Sequence, residues 1–222
     1  MSAHDPEDLR RIYGARFTTN SAYRDRVWDV LVREFFQQYV TGNDRVLDLG
    51  CGYGEFTRHV KCGSKFAMDL NPDAPHHLGE GVTFFEQDCS APWPLPEASL
   101  DAVFTSNFFE HLPDKAALGR TLDQILRCLS KGGRLIAMGP NVKFLPGSYW
   151  DFWDHYVPLT DLSLEEALTT RGFEMIRREN RFLPYTMSAG RQYPLSFLRA
   201  YLRLPIAWKL FGKQFLLVAK KP

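Results

Sequence analysis

The chain has 222 residues, 45% of them hydrophobic and 24% charged, with a net charge of +1 at neutral pH. One generous domain of that composition can bury a full core, so disorder is not expected. The near-neutral balance leaves no electrostatic footprint for nucleic acid, and no apolar run approaches transmembrane length.

In chain order, residues 1–43 read as a helical cap, with Val27, Val30, Leu31 and Phe35 at helical spacing within 23–39. Strands are predicted at 45–49, 65–69, 82–86, 100–106 and 133–138, and helices at 55–61 and 115–129. This alternation argues for an α/β fold on a parallel sheet. Residues 71–81 are too short and too Pro-rich for a regular crossover helix. A helix over 161–171 ends at Gly172, a C-cap signal. Segments 173–178 and 214–219 read as a closing strand pair, separated by an insertion over 180–213. That is far longer than a hairpin loop. Three readings fit the insertion: a lid or substrate platform, a packing or dimer element, and a peripheral membrane contact through Arg199, Arg203 and Lys209.

Cys51, Cys62, Cys89 and Cys128 show no C-x-x-C spacing, so neither a zinc site nor a redox pair is indicated. The polar N-terminus carries no signal sequence, and a reducing cytoplasmic setting is expected.

The densest information lies in Val46-Leu-Asp-Leu-Gly-Cys-Gly-Tyr-Gly-Glu-Phe-Thr57. A short apolar strand runs into glycines at 50, 52 and 54, then into a helix start. Glycine there permits positive φ and lets bare backbone approach a ligand. The turn stands where open α/β sheets bind nucleotides. Its spacing departs from the Gly-x-Gly-x-x-Gly of dinucleotide sites. Asp48 precedes the turn, and Asp69 follows about 20 residues later at the end of the second strand, where an acid can hold ribose hydroxyls.

With these residues the chain resembles the class I S-adenosylmethionine-dependent methyltransferases. The run 46–54 looks like their first motif, and Ala67-Met-Asp-Leu-Asn71 looks like their second. Gln87-Asp-Cys89, Leu100-Asp-Ala-Val-Phe-Thr-Ser-Asn107 and Leu129-Ser-Lys-Gly-Gly-Arg-Leu-Ile-Ala137 continue the likeness. The resemblance implies one methyltransferase domain over 1–222, with a cofactor core at 44–140 and a substrate-facing region at 141–222. The implied fold is a Rossmann-like, doubly wound, seven-stranded sheet with helices on both faces and an antiparallel last strand.

The implied cofactor is S-adenosylmethionine, leaving as S-adenosylhomocysteine. By resemblance, backbone around Gly50, Cys51 and Gly52 contacts its methionyl part, and Asp48 and Gly54 belong to the same cofactor-binding set. Asp69 takes the ribose, Leu70 packs on the adenine, Asp88 accepts from the adenine amine, and Cys89 lies nearby. Asn107 faces the methionyl amine or the transfer site. Asp88 can also be a turn-forming residue before Ser90 and Pro92. Arg16, beside Tyr13, offers a fork to the methionyl carboxylate, or is a solvated charge. A divalent metal is compatible with the residues but not indicated by them.

Among six histidines, His4, His59, His76 and His77 read as exposed or structural. His111 follows the fourth strand and flanks the expected cofactor pocket. His155 lies in Gly147-Ser-Tyr-Trp-Asp-Phe-Trp-Asp-His-Tyr156, with Asp151 or Asp154 placed to orient its ring as a general base. Tyr149, Trp150, Trp153 and Tyr156 offer flat surfaces for an acceptor, or simply cover the sheet edge. The C-terminal segments resemble small bacterial methyltransferases of polysaccharide and glycoside assembly, which implies O-methylation of a sugar hydroxyl. Small-molecule O- or N-methylation is the alternative, and a non-catalytic binding subunit is the remote one. The expected partner is a small-molecule or glycan acceptor, not nucleic acid.

Overall fold

The computed structural model describes residues 21–185 and 192–222. Helix α1 (Ser21–Glu34) leads into a 3-10 turn at Phe36–Tyr39 rather than continuing as one helix, and then into β1 (Arg45–Leu49). There follow α2 (Glu55–His59), β2 (Ser64–Asp69), the single turn α3 (Pro75–Leu78), β3 (Val82–Glu86) and β4 (Leu100–Ser106). Then come α4 (Lys115–Cys128), β5 (Leu129–Pro140), α5 (Asp161–Thr169), β6 (Glu174–Glu179), α6 (Leu195–Leu202), α7 (Pro205–Phe211) and β7 (Gln214–Lys220). The strands form one sheet in the order β3-β2-β1-β4-β5-β7-β6. The first five run parallel, and β7 is antiparallel to both β5 and β6. This is the expected doubly wound sheet.

Alternate residues feed two cores, one on each face of the sheet. Leu47, Leu49, Val103, Leu135, Ala137 and Leu217 join α4 and α5 on one side. Val46, Ala102, Phe104, Ile136, Met138 and Leu216 join α1 and the insertion on the other. Such two-sided burial explains why these strands read as nearly continuous apolar runs.

Local chemistry sets the helix ends. Asp114 accepts a 2.7 Å bond from the Ala117 amide to start α4, and Thr160 with Ser163 forms a capping box on α5. Gly172, at φ +94°, turns the chain after α5, and the Phe173 amide reaches back to the Leu168 carbonyl. β5 begins four residues before the predicted 133, because pairing with β4 starts at Leu100↔Leu129 and slips before Ala102↔Arg134. Gly132, at φ +76°, allows that irregularity.

The described part of the insertion is not a free arm. Leu198, Leu202 and Trp208 enter the core beside α1, while Arg199 and Arg203 both pair with Glu34 at 2.9 and 3.0 Å. Its outer side exposes Phe197, Ile206, Leu210 and Phe211. Among the described residues no helix is long and apolar enough to cross a membrane.

At the amino edge of the sheet, Arg45 grips Asp101 with two guanidinium nitrogens at 2.8 and 2.9 Å, and its amide donates to the same carboxylate. The Arg45 bonds hold the Asp101 carboxyl well below the usual carboxylate range. A depressed carboxylate stabilises the fold above its unfolded pKa of about 4, and that stabilisation is lost as pH falls toward the folded value. Asp101→Asn should therefore cost about 1 kcal/mol at pH 7, as for a partly exposed pair of good geometry. In urea denaturation the deficit should shrink at pH 3; an equal deficit at both pH values would show that charge is not the cause.

Candidate functional site

Because the sheet is buried on both faces, its open chemistry collects at the carboxyl ends of the parallel strands, where ligands bind in such folds. The turn after β1 has Gly50, Gly52 and Gly54 at φ +68°, +54° and +72°. At Gly50 a Cβ would stand 2.2 Å from the Phe108 ring, so glycine is required by space as well as by torsion. The Gly50 amide donates to the Met68 carbonyl at 2.8 Å, which ties the turn to β2. Asp69, at the end of β2, accepts from the Gly52 amide at 2.8 Å and from the Asn71 amide at 2.9 Å. The sequence reading assigned Asp69 to a ligand. In the fold it also pins the glycine turn.

Beneath the turn, Asp48 is buried and accepts from the Thr57 hydroxyl at 2.5 Å. Burial pushes its carboxyl up to about 7, against the opposing pull of the Thr57 bond. Asp48 thus supports the turn from below. Glu55, which opens α2, is paired with the buried Arg24 of α1 at 2.5 Å. Arg58 and His59 of the same helix both bond Asp25, so His59 is structural. Nothing in the sequence around Arg24 and Glu55 signalled this pair, which joins residues 31 apart.

The remaining cofactor candidates lie along the same edge. Leu70 is half-buried after β2. Asp88 follows β3 and accepts from the Ser90 amide at 2.8 Å, a turn-forming bond that leaves its other carboxylate oxygen unassigned. Cys89 is buried, and its carbonyl accepts from the Trp93 indole. Asn107 is exposed after β4 at φ +49°. Arg16 and Tyr13 lie outside the described residues.

Next to this cradle stands a second group. The turn after β4 places Glu110 and His111, and the loop after β5 brings Asp154 and His155 against them. The two loops are tied because the Tyr156 and Val157 amides donate to the Glu110 carbonyl at 2.8 and 3.1 Å. His111 Nδ1 lies 2.9 Å from the Asp154 carbonyl and 3.1 Å from its carboxylate. His155 Nδ1 lies 2.8 Å from the Tyr149 carbonyl. A carbonyl only accepts, so both Nδ1 atoms carry the proton and Nε2 is the basic nitrogen of each ring. Burial alone would lower the His111 pKa, but Asp154 and Glu110 outweigh it and the net shift is upward.

Two expectations are corrected here. Asp151 or Asp154 was expected to orient His155, yet the Asp154 carboxylate lies 3.1 Å from His111 Nδ1, and the Tyr149 carbonyl lies 2.8 Å from His155 Nδ1. Tyr149 was assigned to the substrate surface, yet it is 1% exposed and its hydroxyl donates to the Val157 carbonyl at 2.7 Å. A bulky ring with its polar tip satisfied makes a core residue of it. Trp150, Trp153 and Tyr156 are exposed, Trp153 at 88%. Sequence reasoning passed over Glu110, although it adjoins His111 in a turn that points both inward.

S-adenosylmethionine, expected from the motifs, matches what the edge presents. The Asp69 carboxylate stands at the end of β2, where an acid can accept from vicinal hydroxyls, and the glycine turn presents bare backbone to a methionyl chain.

Comparison with known proteins agrees. A model of the methyltransferase domain family matches residues 21–178. A chain of Encephalitozoon cuniculi named as a methyltransferase is 27% identical over 136 residues, 61% of this chain and 63% of that one. The demethylmenaquinone methyltransferase of Symbiobacterium thermophilum is 26% identical, over 72% of this chain and 65% of its own. This chain thus spans less than two thirds of these relatives' length. In fold, an S-adenosylmethionine-dependent methyltransferase from Archaeoglobus fulgidus superposes with a TM-score of 0.68 at 22% identity, covering 92% of this chain and 99% of that one. With the glycine turn, the β2 acid and this sheet order in place, the chain belongs to the methyltransferase domain family.

Proposed function

We propose that the protein is an S-adenosylmethionine-dependent methyltransferase acting on an oxygen acceptor, a sugar hydroxyl, held at the Glu110–His111–His155 cluster. The observation that carries this reading is the Asp154–His111 pair at the same sheet edge as the glycine turn. A hydroxyl must lose a proton as it is methylated, and a carboxylate-oriented imidazole is the group that takes it. When bound, the cofactor supplies an electrophilic methyl on a sulfonium whose charge disappears on transfer. The glycine turn and Asp69 hold the donor end still, while Glu110 and the two imidazoles present the acceptor oxygen in line. His111 Nε2 receives the proton, and Asp154 fixes the tautomer and steadies the imidazolium. In this reading His111 rather than His155 is the base, supported by its carboxylate partner and by its being the less buried of the two. Trp150, Trp153 and Tyr156 offer exposed ring faces for a glycan, and the net charge of +1 favours such an acceptor over nucleic acid.

Asp69→Asn should lower affinity for S-adenosylmethionine and S-adenosylhomocysteine by about 10–100-fold, the cost of a lost charge-assisted acceptor. Calorimetry on the folded variant checks this, and unchanged affinity would remove Asp69 from the site.

His111→Gln and Asp154→Asn should each lower kcat for methylation of a glycoside panel by about 10²–10⁴-fold, the range of a positioned base. Cofactor affinity should stay close to that of the parent. Label transferred from the cofactor at undiminished rate in both variants would show that no base acts here.

A further inference from the structure

The same cluster has a geometry that proton transfer alone does not require. One donor atom each from Glu110, His111 and His155 lie within 4.8 Å of one another. Two imidazoles and one carboxylate are the donor set of open, three-ligand sites for zinc or ferrous iron. We propose that these three residues bind a divalent first-row transition cation, with coordination positions left open for the acceptor.

The second observation is the outer arrangement. Metal-ligating histidines hold their other ring nitrogen with a carbonyl or carboxylate, which sets the tautomer and aims the donor. Both rings are held in that way, His155 by the Tyr149 carbonyl and His111 by Asp154 through its carbonyl and its carboxylate. Packing keeps the rings in place. His155 is stacked on Phe152 with centroids 4.9 Å apart, and the His111 ring meets it edge-on at the same distance. Glu110 is 3% exposed and His155 6%, whereas the His111 side chain is 23% exposed. The cluster is therefore closed behind and accessible from the His111 side, as an open coordination site needs. The loops that carry it are already bonded through the Glu110 carbonyl, so little ordering is left to be done on binding.

This proposal rests on the oxygen-acceptor reading only for the cation's task. A hydroxyl entering an open position would be acidified, its proton passing to solvent. The imidazoles would then serve as ligands in place of the base role given to His111 above, and Asp154 would be a positioning residue acting through His111.

The test uses the full chain stripped with a chelator and titrated with Co²⁺, whose visible d–d bands report nitrogen and oxygen coordination. One equivalent should bind and be displaced by Zn²⁺. Asp154→Asn should weaken Co²⁺ binding by about 10–100-fold, as loss of an outer partner does, and His111→Gln by at least as much. Glu110→Gln should change the band pattern. The exposed His76→Ala should leave the titration unchanged. His111 is half-buried, so its variant should keep the parent circular dichroism and stay informative if Glu110→Gln unfolds. Absence of stoichiometric binding, or binding unchanged in His111→Gln, overturns the proposal. Methyl transfer that survives chelation alongside absent binding removes the cation and spares the acceptor reading. Stoichiometric binding with no transfer to any hydroxyl supports the cation and removes the acceptor reading instead.

Discussion

A parallel sheet covered on both faces has no room for polar chemistry along its strands, and this constraint shapes the whole molecule. Leu47, Val103, Leu135 and Leu217 are fully buried on one face and Ala102, Leu216 and Val218 on the other. A carboxylate or imidazole can be held there only where the strands end and loops supply partners. Asp69, Glu110, Asp154 and His155 are all nearly buried, and they cluster where β2, β4 and β5 run out. Burial strengthens each electrostatic contact in these clusters. The same edge also permits two neighbouring devices, a glycine turn that admits a ligand's backbone-facing side and a histidine cluster that can work on an acceptor.

The glycine turn is held in place by the helix that starts from its last glycine and by what braces that helix. α2 is only five residues long, too short to be stable by itself. It is braced to α1 by the Arg24–Glu55 pair and by Asp25 receiving Arg58 and His59. α1 is in turn braced by the insertion, through Glu34 with Arg199 and Arg203 and through Tyr23, which exchanges bonds with the Tyr193 backbone. A chain of direct contacts therefore links the insertion to the turn after β1.

Much of this was readable from the chain because it is written locally. Strand 45–49, the glycines that follow it and Asp69 obey short-range rules of sterics and spacing, and the strands at 82–86 and 100–106 stand where they were expected. What escaped depends on residues far apart in sequence. The placing of Asp154 on His111 spans 43 residues, and local order alone favoured the adjacent His155. Tyr149 was misread for a similar reason: an aromatic in a loop looks like surface until its hydroxyl finds the Val157 carbonyl. β5 began early because Gly132 bends a ladder whose partner strand is not visible in its own sequence.

The place of β7 carries a consequence for how the molecule is made. Strands β1 to β5 can pair with one another as they emerge, since the pairings among them need nothing made after β5. β6 cannot, because it pairs with β7, and β7 separates it from β5. During vectorial synthesis β5 and β6 both hold open edges until the residues from Gln214 onward leave the ribosome. Such edges are the features most prone to wrong pairing in a nascent chain. The charged residues Glu174, Arg177, Arg178 and Glu179 on β6 make that wait safer, since charge discourages the strand from finding another partner before its own arrives.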